Sequence, residues 1–285
     1  MSKLLQSESL CVGGLDILLY RPSNPSPLPV SLVYLLHGRL SSRGAVNAFA
    51  RKLVSRMIEE GEGNKRQLWV VSLDHRNHGT RVVNDTANHG WHEGDRHNPR
   101  HAVDMYSIQL GTTRDITFLT DLLPSYLFPN GENMIVDWGV VGISLGGHSA
   151  WLSLCHDARI RFGVPIIGCP NYLELMAHRA GQHGLNLDPP LLPSSLRQLI
   201  QQEDPVYKDY KSLDPERNPF IGKKVLVLSG KEDVLVPWSA SQEFVDKLEV
   251  GEDGEKRVHV VNGVGHQCTE EMQDETYTFL REMML

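Results

Sequence analysis

Short apolar runs alternate with longer amphipathic stretches along the chain, and that alternation predicts its architecture. Six runs have strand length and are apolar at successive positions: Ser31–Leu36, Leu68–Leu73, Gly139–Ile143, Gly163–Ile167, Val225–Leu228 and Val258–Val261. Continuous hydrophobicity of this kind is what a strand covered on both faces requires. Between the runs, the spacing predicts helices over Ala45–Glu60, Met105–Leu127, Leu145–His156, Ser239–Val250 and Glu270–Met284. Strand–helix alternation builds a mostly parallel sheet with helices on both faces. The segment Leu10–Tyr20, which contains GGLDILLY, reads as an antiparallel hairpin arm at one edge.

The rhythm breaks once. From Asn171 to Phe220 the chain is rich in Pro, Leu and Gln (DPPLLPSSLRQLIQQ) and shows helical pieces where another strand would be due. Long connections in compact domains usually carry function, so this insertion reads as a small lid over a site. The expected division is a core of residues 1–170 and 221–285 with an inserted helical lid at 171–220. A length of 285 residues would also allow two domains at ~150 residues each. No linker separates two such units, and the pattern favours one core plus the lid.

The sharpest chemical signal is Gly142-Ile143-Ser144-Leu145-Gly146, at the end of one buried run and directly before a helix. A serine on a tight strand-to-helix turn has a strained backbone and projects its hydroxyl above the sheet. Glycines two before and two after it are needed because side chains there would strike the neighbouring strand and helix. A serine hydroxyl is a weak nucleophile until a base takes its proton, so an imidazole and an orienting acid must follow. Asp233, in Lys231-Glu232-Asp233, lies just past the run VLVLSG, where open α/β sheets place functional groups. His266 follows the last apolar run, beside Gly263 and Gly265. Glu232 is the competing acid and His259 the competing base; position after the strand favours Asp233, and His259 reads as a packed strand residue. A tetrahedral oxyanion needs two N–H donors. One is the backbone of Leu145. The other belongs to the loop His37-Gly38-Arg39-Leu40, with the N–H of Arg39 preferred and that of Leu40 as the alternative.

These residues together resemble the α/β-hydrolase superfamily: HG after one strand, Asp74-His75-Arg76-Asn77-His78-Gly79 after the next, GISLGG at the turn, then GKEDVLVP and GVGH. The resemblance covers roughly Leu15 to the C-terminus. Within the superfamily, GISLGGHSAW followed by DARIRFGVPIIGCPNY is similar to small esterases related to prolyl-oligopeptidase catalytic domains and dienelactone hydrolases. It implies an eight-stranded, mostly parallel sheet flanked by helices, an acyl-enzyme mechanism and no cofactor. Ser144 stands where dienelactone hydrolases carry cysteine, no long N-terminal propeller like that of prolyl oligopeptidases is seen, and no HGGG run occurs. The expected activity is hydrolysis of a carboxylic ester or thioester of a small molecule. Amide, lactone or C–C bond cleavage and acyl transfer are alternatives on the same triad, and a non-catalytic ligand receptor is the alternative outside enzymes.

Six histidines, His75, His78, His89, His92, His97 and His101, crowd one stretch beside Asp74, Glu93 and Asp95. Their spacing matches no standard zinc pattern, so the stretch reads as a polar loop held by side-chain hydrogen bonds, with no metal. Trp91 and Met105 are candidates to line the substrate pocket. Cys169, just past a core run, lacks a matched base and reads as structural.

Composition narrows the partners only slightly. With 28 Lys+Arg against 35 Asp+Glu the net charge is −7, and the basic excess that neutralises nucleic-acid phosphates is missing. The four cysteines show no CxxC spacing, which argues against a zinc knuckle or disulfide scaffold. No apolar stretch approaches the ~18 residues of a membrane span, and the start lacks a signal-peptide pattern. The expectation is a cytoplasmic protein with reduced thiols.

Overall fold

The computed structural model describes residues 4–92 and 94–285. Eight strands form one sheet: β1 (Leu5–Val12), β2 (Leu15–Pro22), β3 (Val30–Leu36), β4 (Gln67–Leu73), β5 (Ile135–Ile143), β6 (Ile160–Ile166), β7 (Lys224–Gly230) and β8 (Glu255–Val261). Their spatial order is β1-β2-β4-β3-β5-β6-β7-β8. The β1–β2 hairpin is antiparallel and joins β4 antiparallel, while β3 to β8 run parallel. This is the α/β-hydrolase fold, with the expected arm at one edge.

Each parallel strand is apolar at successive positions because each face meets a different layer. On β3, Leu32, Tyr34 and Leu36 join one cluster, and Val33 and Leu35 join the other. The first cluster takes in α2 (His101–Leu127), α3 (Leu145–His156) and α6 (Ser239–Lys247); the second takes in α1 (Asn47–Glu59) and α7 (Glu270–Met284). Trp151 on α3, fully buried, meets Phe220 and Phe244 edge-on at 6.2 and 5.4 Å. Burial of each such ring contributes about 1.5–3 kcal/mol. Among the described residues, no helix is long and apolar enough to cross a membrane.

Two predicted elements differ in instructive ways. The run Val258–Val261 lies on β8, the edge strand, so Val258 is 43% exposed rather than covered on both faces. Helix α6 ends at Lys247 instead of Val250, because Leu248 turns extended (φ −67°, ψ 120°) ahead of the left-handed Gly251.

Segment 171–220 contains α4 (Tyr172–Gln182), α5 (Ser194–Glu203) and a short 3-10 turn. Tyr172, Leu175, Met176, Leu196 and Ile200 pack on Ala102, Met105 and Tyr106 of α2 and on Leu145, forming a third cluster above the carboxyl ends of the strands. Asp204 fastens this layer from inside. Its carboxylate, 2% exposed, accepts the Tyr106 O–H at 2.9 Å and the Tyr172 N–H at 2.7 Å. Burial raises its pKa to about 7.

The turn after β5 depends on glycine in the way its sequence demands. A Cβ on Gly142 would lie 2.0 Å from the carbonyl oxygen of Gly146, and one on Gly146 would lie 2.6 Å from that of Leu36. Both obstacles are backbone, which cannot rotate away.

Two outcomes follow from this packing. Gly142→Ala is expected to lower stability by at least about 1–3 kcal/mol, whereas Gly181→Ala, exposed in α4 with nothing within 4 Å of the new methyl, is expected to raise it by roughly 0.5–1 kcal/mol; urea midpoints compare them. For Asp204, a folded-state pKa above the unfolded value means that its contribution is complete at low pH. It declines as pH rises from roughly 4, the ordinary aspartate pKa, through about 7. The stability of Asp204→Asn relative to the parent should therefore climb across that window and level off above it.

Candidate active site

The carboxyl ends of β3 and β5 lie side by side at the point where the chain's progression across the sheet reverses, which is where open α/β sheets form a crevice. The turn after β5 places Ser144 there at φ 55°, ψ −110°, as the cap of α3. Its N–H is fixed by Ile166 O at 2.9 Å, and the N–H of Gly146 by His37 O at 3.2 Å. The loop after β3 closes on the serine: a Cβ on Gly38 would lie 3.7 Å from Ser144 Cβ. Among the described residues, three of the four non-glycine residues with positive φ, Leu40, Ser144 and Ile167, line one pocket. Backbone strain concentrated at one place is a mark of functional sites.

The structure brings Ser144, His266 and Asp233 together. Ser144 Oγ is 2.8 Å from His266 Nε2, and His266 Nδ1 is 2.7 Å from Asp233 Oδ2. A carboxylate only accepts, so Nδ1 carries the proton, and Nε2 is left to accept the Ser144 O–H. Asp233 is aimed by its own loop, because Oδ1 accepts the N–H groups of Leu235 and Val236, both at 2.9 Å. Its side chain is fully buried, whereas that of His266 is 22% exposed toward the pocket.

The competing residues lie elsewhere. Glu232 is exposed. His259, expected to be packed, is half-exposed on edge strand β8 with Nδ1 bonded to Glu275. Among the described residues, no turn, loop or cap hydrogen bond uses the N–H of Leu145, Arg39 or Leu40. All three residues line the pocket with Ser144, so both options for the second donor stay open.

In the histidine-rich stretch His75, His78 and His101 are buried, whereas His92 and His97 are exposed. His37 is fully buried; its Nε2 accepts the His75 N–H at 3.2 Å, and burial lowers its pKa to about 4. His75 is bonded through Nε2 to His37 O and through Nδ1 to Thr112 Oγ1, both at 2.9 Å. Asp74 accepts the N–H groups of Arg43 and Thr80 and the Thr80 O–H. These bonds lock the loops after β3 and β4 to each other and to α2. Glu93 lies outside the described residues. Among those described, the group with metal-binding spacing is His259, Glu271 and Glu275, outside this stretch.

The pocket itself is about 360 Å³ and is lined by Arg39, Met105, Leu145, Ile167, Arg179, Leu235 and Cys268 beside Ser144 and His266. Met105 takes the lining place expected of it. Trp91 stands behind, buried edge-on against His101 at 5.1 Å. Cys169 is buried among Tyr172 and Leu145 with its pKa pushed up to about 11, so its thiol stays protonated. Sequence reasoning missed Arg179 on α4 and the side chain of Arg39. Neither carries a signal in the sequence, since an arginine on an amphipathic helix, like Arg179, or in a loop, like Arg39, ordinarily faces water.

Solved structures share the whole architecture. TT1662 from Thermus thermophilus superposes with a TM-score of 0.69 at 20% identity, covering 98% of each chain. The acylaminoacyl peptidase of Pyrococcus horikoshii gives 0.63 at 15% identity over 99% of this chain and 41% of its own. The Pyrococcus furiosus esterase Pf2001 gives 0.56 at 19% identity over 99% and 93%. In sequence, the chain is 28% identical over 113 residues to the putative esterase YitV of Bacillus subtilis (strain 168), a match spanning 39% of this chain and 42% of that relative's length. The signature of the prolyl oligopeptidase family matches residues 126–284, more than half of the chain and including Ser144, Asp233 and His266. The chain belongs to the prolyl oligopeptidase family and has an α/β-hydrolase fold.

Proposed function

We propose that the protein is a serine esterase that cleaves a carboxylic ester or thioester of a small molecule through an acyl-enzyme on Ser144. The observation that carries this reading is the unbroken relay from Ser144 Oγ to His266 at 2.8 Å and on to Asp233 at 2.7 Å, at the mouth of a small pocket.

His266 Nε2 takes the Ser144 proton as Oγ bonds to the acyl carbon, and the carbonyl oxygen becomes an oxyanion. The N–H groups of Leu145 and of Arg39 or Leu40 hold that charge; each such donor is worth about 10²–10³ in kcat. Asp233 stabilises the imidazolium and fixes its tautomer without itself taking the proton. Collapse breaks the bond to the leaving oxygen or sulfur, which departs with the proton from His266. Water then gives a proton to His266 and bonds to the acyl carbon, and Ser144 leaves with that proton, restoring the starting state.

Segment 171–220 serves this chemistry as a lid. Leu175 and Met176 pack with Leu145 and Met105 in one cluster, and Arg179 lines the pocket directly, so α4 supplies part of its wall. A wall so close to the nucleophile limits the length of acyl chain and keeps water out.

Peptide-bond cleavage is the second reading, favoured by the family's name alone. The same relay serves both, and a paired ester and anilide of one acyl group separates them: the esterase reading expects turnover of the ester far above that of the anilide.

Ser144→Ala is expected to lose about 10⁴-fold or more in kcat on short p-nitrophenyl esters and to lose labelling by a fluorophosphonate probe. Labelling that persisted in full would remove Ser144 from the mechanism. Asp233→Asn should fall by about 10⁴-fold because it favours the wrong imidazole tautomer, while Glu232→Gln stays within about twofold. An equal loss in the two acid variants would contradict the choice of Asp233.

A further inference from the structure

Arg179 is buried to 8% exposure on the wall of the catalytic pocket, and the partners it has there are neutral. Its Nη1 donates to His101 Nε2 at 3.2 Å and to the weakly accepting Met105 sulfur at 2.8 Å. Its Nε and Nη2 both donate to the one carbonyl of Leu235 at 3.4 Å. A second guanidinium, that of Arg39, a residue that also lines the pocket, is near enough to repel Arg179 and donates through Nη1 to Asn88 O at 3.0 Å. Among the described residues, no carboxylate lies within 4.0 Å of either guanidinium; the ion pairs of the structure are formed by other arginines, lysines and histidines.

Leaving a cation buried among neutral acceptors is costly, and placing two of them where each repels the other adds to that cost. A residue kept only to fasten α4 to the loop of Leu235 would need no charge. The surroundings carry the imprint of this field. Burial first, and then the two guanidiniums, hold His101 well below its ordinary pKa, and burial together with Arg179 lowers His148 to about 3, so neither imidazole adds a charge of its own. Arg179 is itself lowered by burial and by Arg39 to about 10, which leaves it charged at neutral pH. The charge of Asp233 reaches Arg179 and offsets part of this field, but among the described residues the two form no ion pair within 4.0 Å, and the Asp233 oxygens bond to His266 and to the N–H groups of Leu235 and Val236.

We propose that Arg179, with Arg39 beside it, forms a subsite for a carboxylate carried by the substrate, so that the esters cleaved at Ser144 are anionic small molecules such as half-esters of short dicarboxylic acids. This rests on the esterase reading and names its substrate class. The guanidinium fork matches a carboxylate in shape, and the bound anion supplies the ion-pair partner that neither guanidinium has among the described residues. A pocket of about 360 Å³ beside the nucleophile limits the substrate to a short chain between the scissile carbonyl and the carboxylate.

The test uses three esters: neutral p-nitrophenyl butyrate, mono-p-nitrophenyl glutarate with its carboxylate on the acyl side, and 4-acetoxybenzoate with its carboxylate on the leaving group. The expected result is that kcat/KM for at least one anionic ester exceeds that for the butyrate by at least about tenfold. In Arg179→Met that ratio should fall about 10- to 100-fold, with the loss mostly in KM, and Arg179→Lys should restore part of it. Which anionic ester gains tells on which side of the scissile bond the carboxylate sits. Free glutarate should also protect the parent protein against thermal unfolding and compete with butyrate hydrolysis more strongly than chloride at matched ionic strength. That measurement needs no variant, so it decides the matter if Arg179→Met fails to fold. Preference for the neutral ester over both anionic ones, together with no protection by glutarate, would overturn the subsite while leaving the esterase reading intact. Failure to turn over any of the three esters, with no fluorophosphonate labelling, would instead sink the esterase reading itself.

Discussion

At φ 55° and ψ −110° the backbone of Ser144 occupies a region that costs about 1–3 kcal/mol, and the rest of the site depends on its staying there. The conformation survives because the chain is pinned on both sides, by Ile166 O on the Ser144 N–H and by His37 O on that of Gly146. Pinning at this distance is possible only where glycine lets backbone meet backbone, at Gly142 and Gly146. The same contacts hold the first turn of α3 against the loop after β3. The proposed nucleophile, the proposed oxyanion donors and the floor of the pocket thus share one origin in the packing of the turn.

Electrostatics divides the site into two parts. On one side a single buried carboxylate, Asp233, is satisfied by two N–H groups and by His266, which it orients toward Ser144. On the other side, beside the buried and neutral His101 and His148, two guanidiniums have no carboxylate within 4.0 Å among the described residues. The oxygens of Asp233 are all engaged by hydrogen bonds within the relay, whereas Arg39 and Arg179 line the pocket without an ion-pair partner among the described residues. Segment 171–220 connects the two parts, since α4 carries Arg179 and Asp204 ties the segment to α2 through Tyr106.

What was legible in the sequence is what backbone geometry dictates. Gly142 and Gly146 mark a turn that other residues cannot make, so Ser144 stood out. Asp233 and His266 could be placed because each follows the carboxyl end of a strand that its apolar run had already marked. The double coverage of β3 and β5 was readable as continuous hydrophobicity. The features that escaped are those that depend on partners distant in sequence. Val258 is apolar, but the sequence does not say that β8 is an edge strand with one face open. His259 looked like a packed residue and instead pairs with Glu275 on α7. Arg179 has the sequence context of any solvated helix residue, and only the docking of α4 over the sheet turns it inward.

The claim on which the rest hangs is that Ser144 carries the acyl group between two half-reactions, and trapping that intermediate tests it most directly. The protein is mixed with excess p-nitrophenyl ester, p-nitrophenol is followed in the first turnover, and the reaction is quenched in acid for intact-mass and peptide analysis. The expected result is a burst approaching one p-nitrophenol per chain and a mass increase equal to the acyl group on the peptide that contains Ser144. Steady turnover with no adduct on that peptide, or an adduct located instead on Cys169 or Cys268, would contradict it.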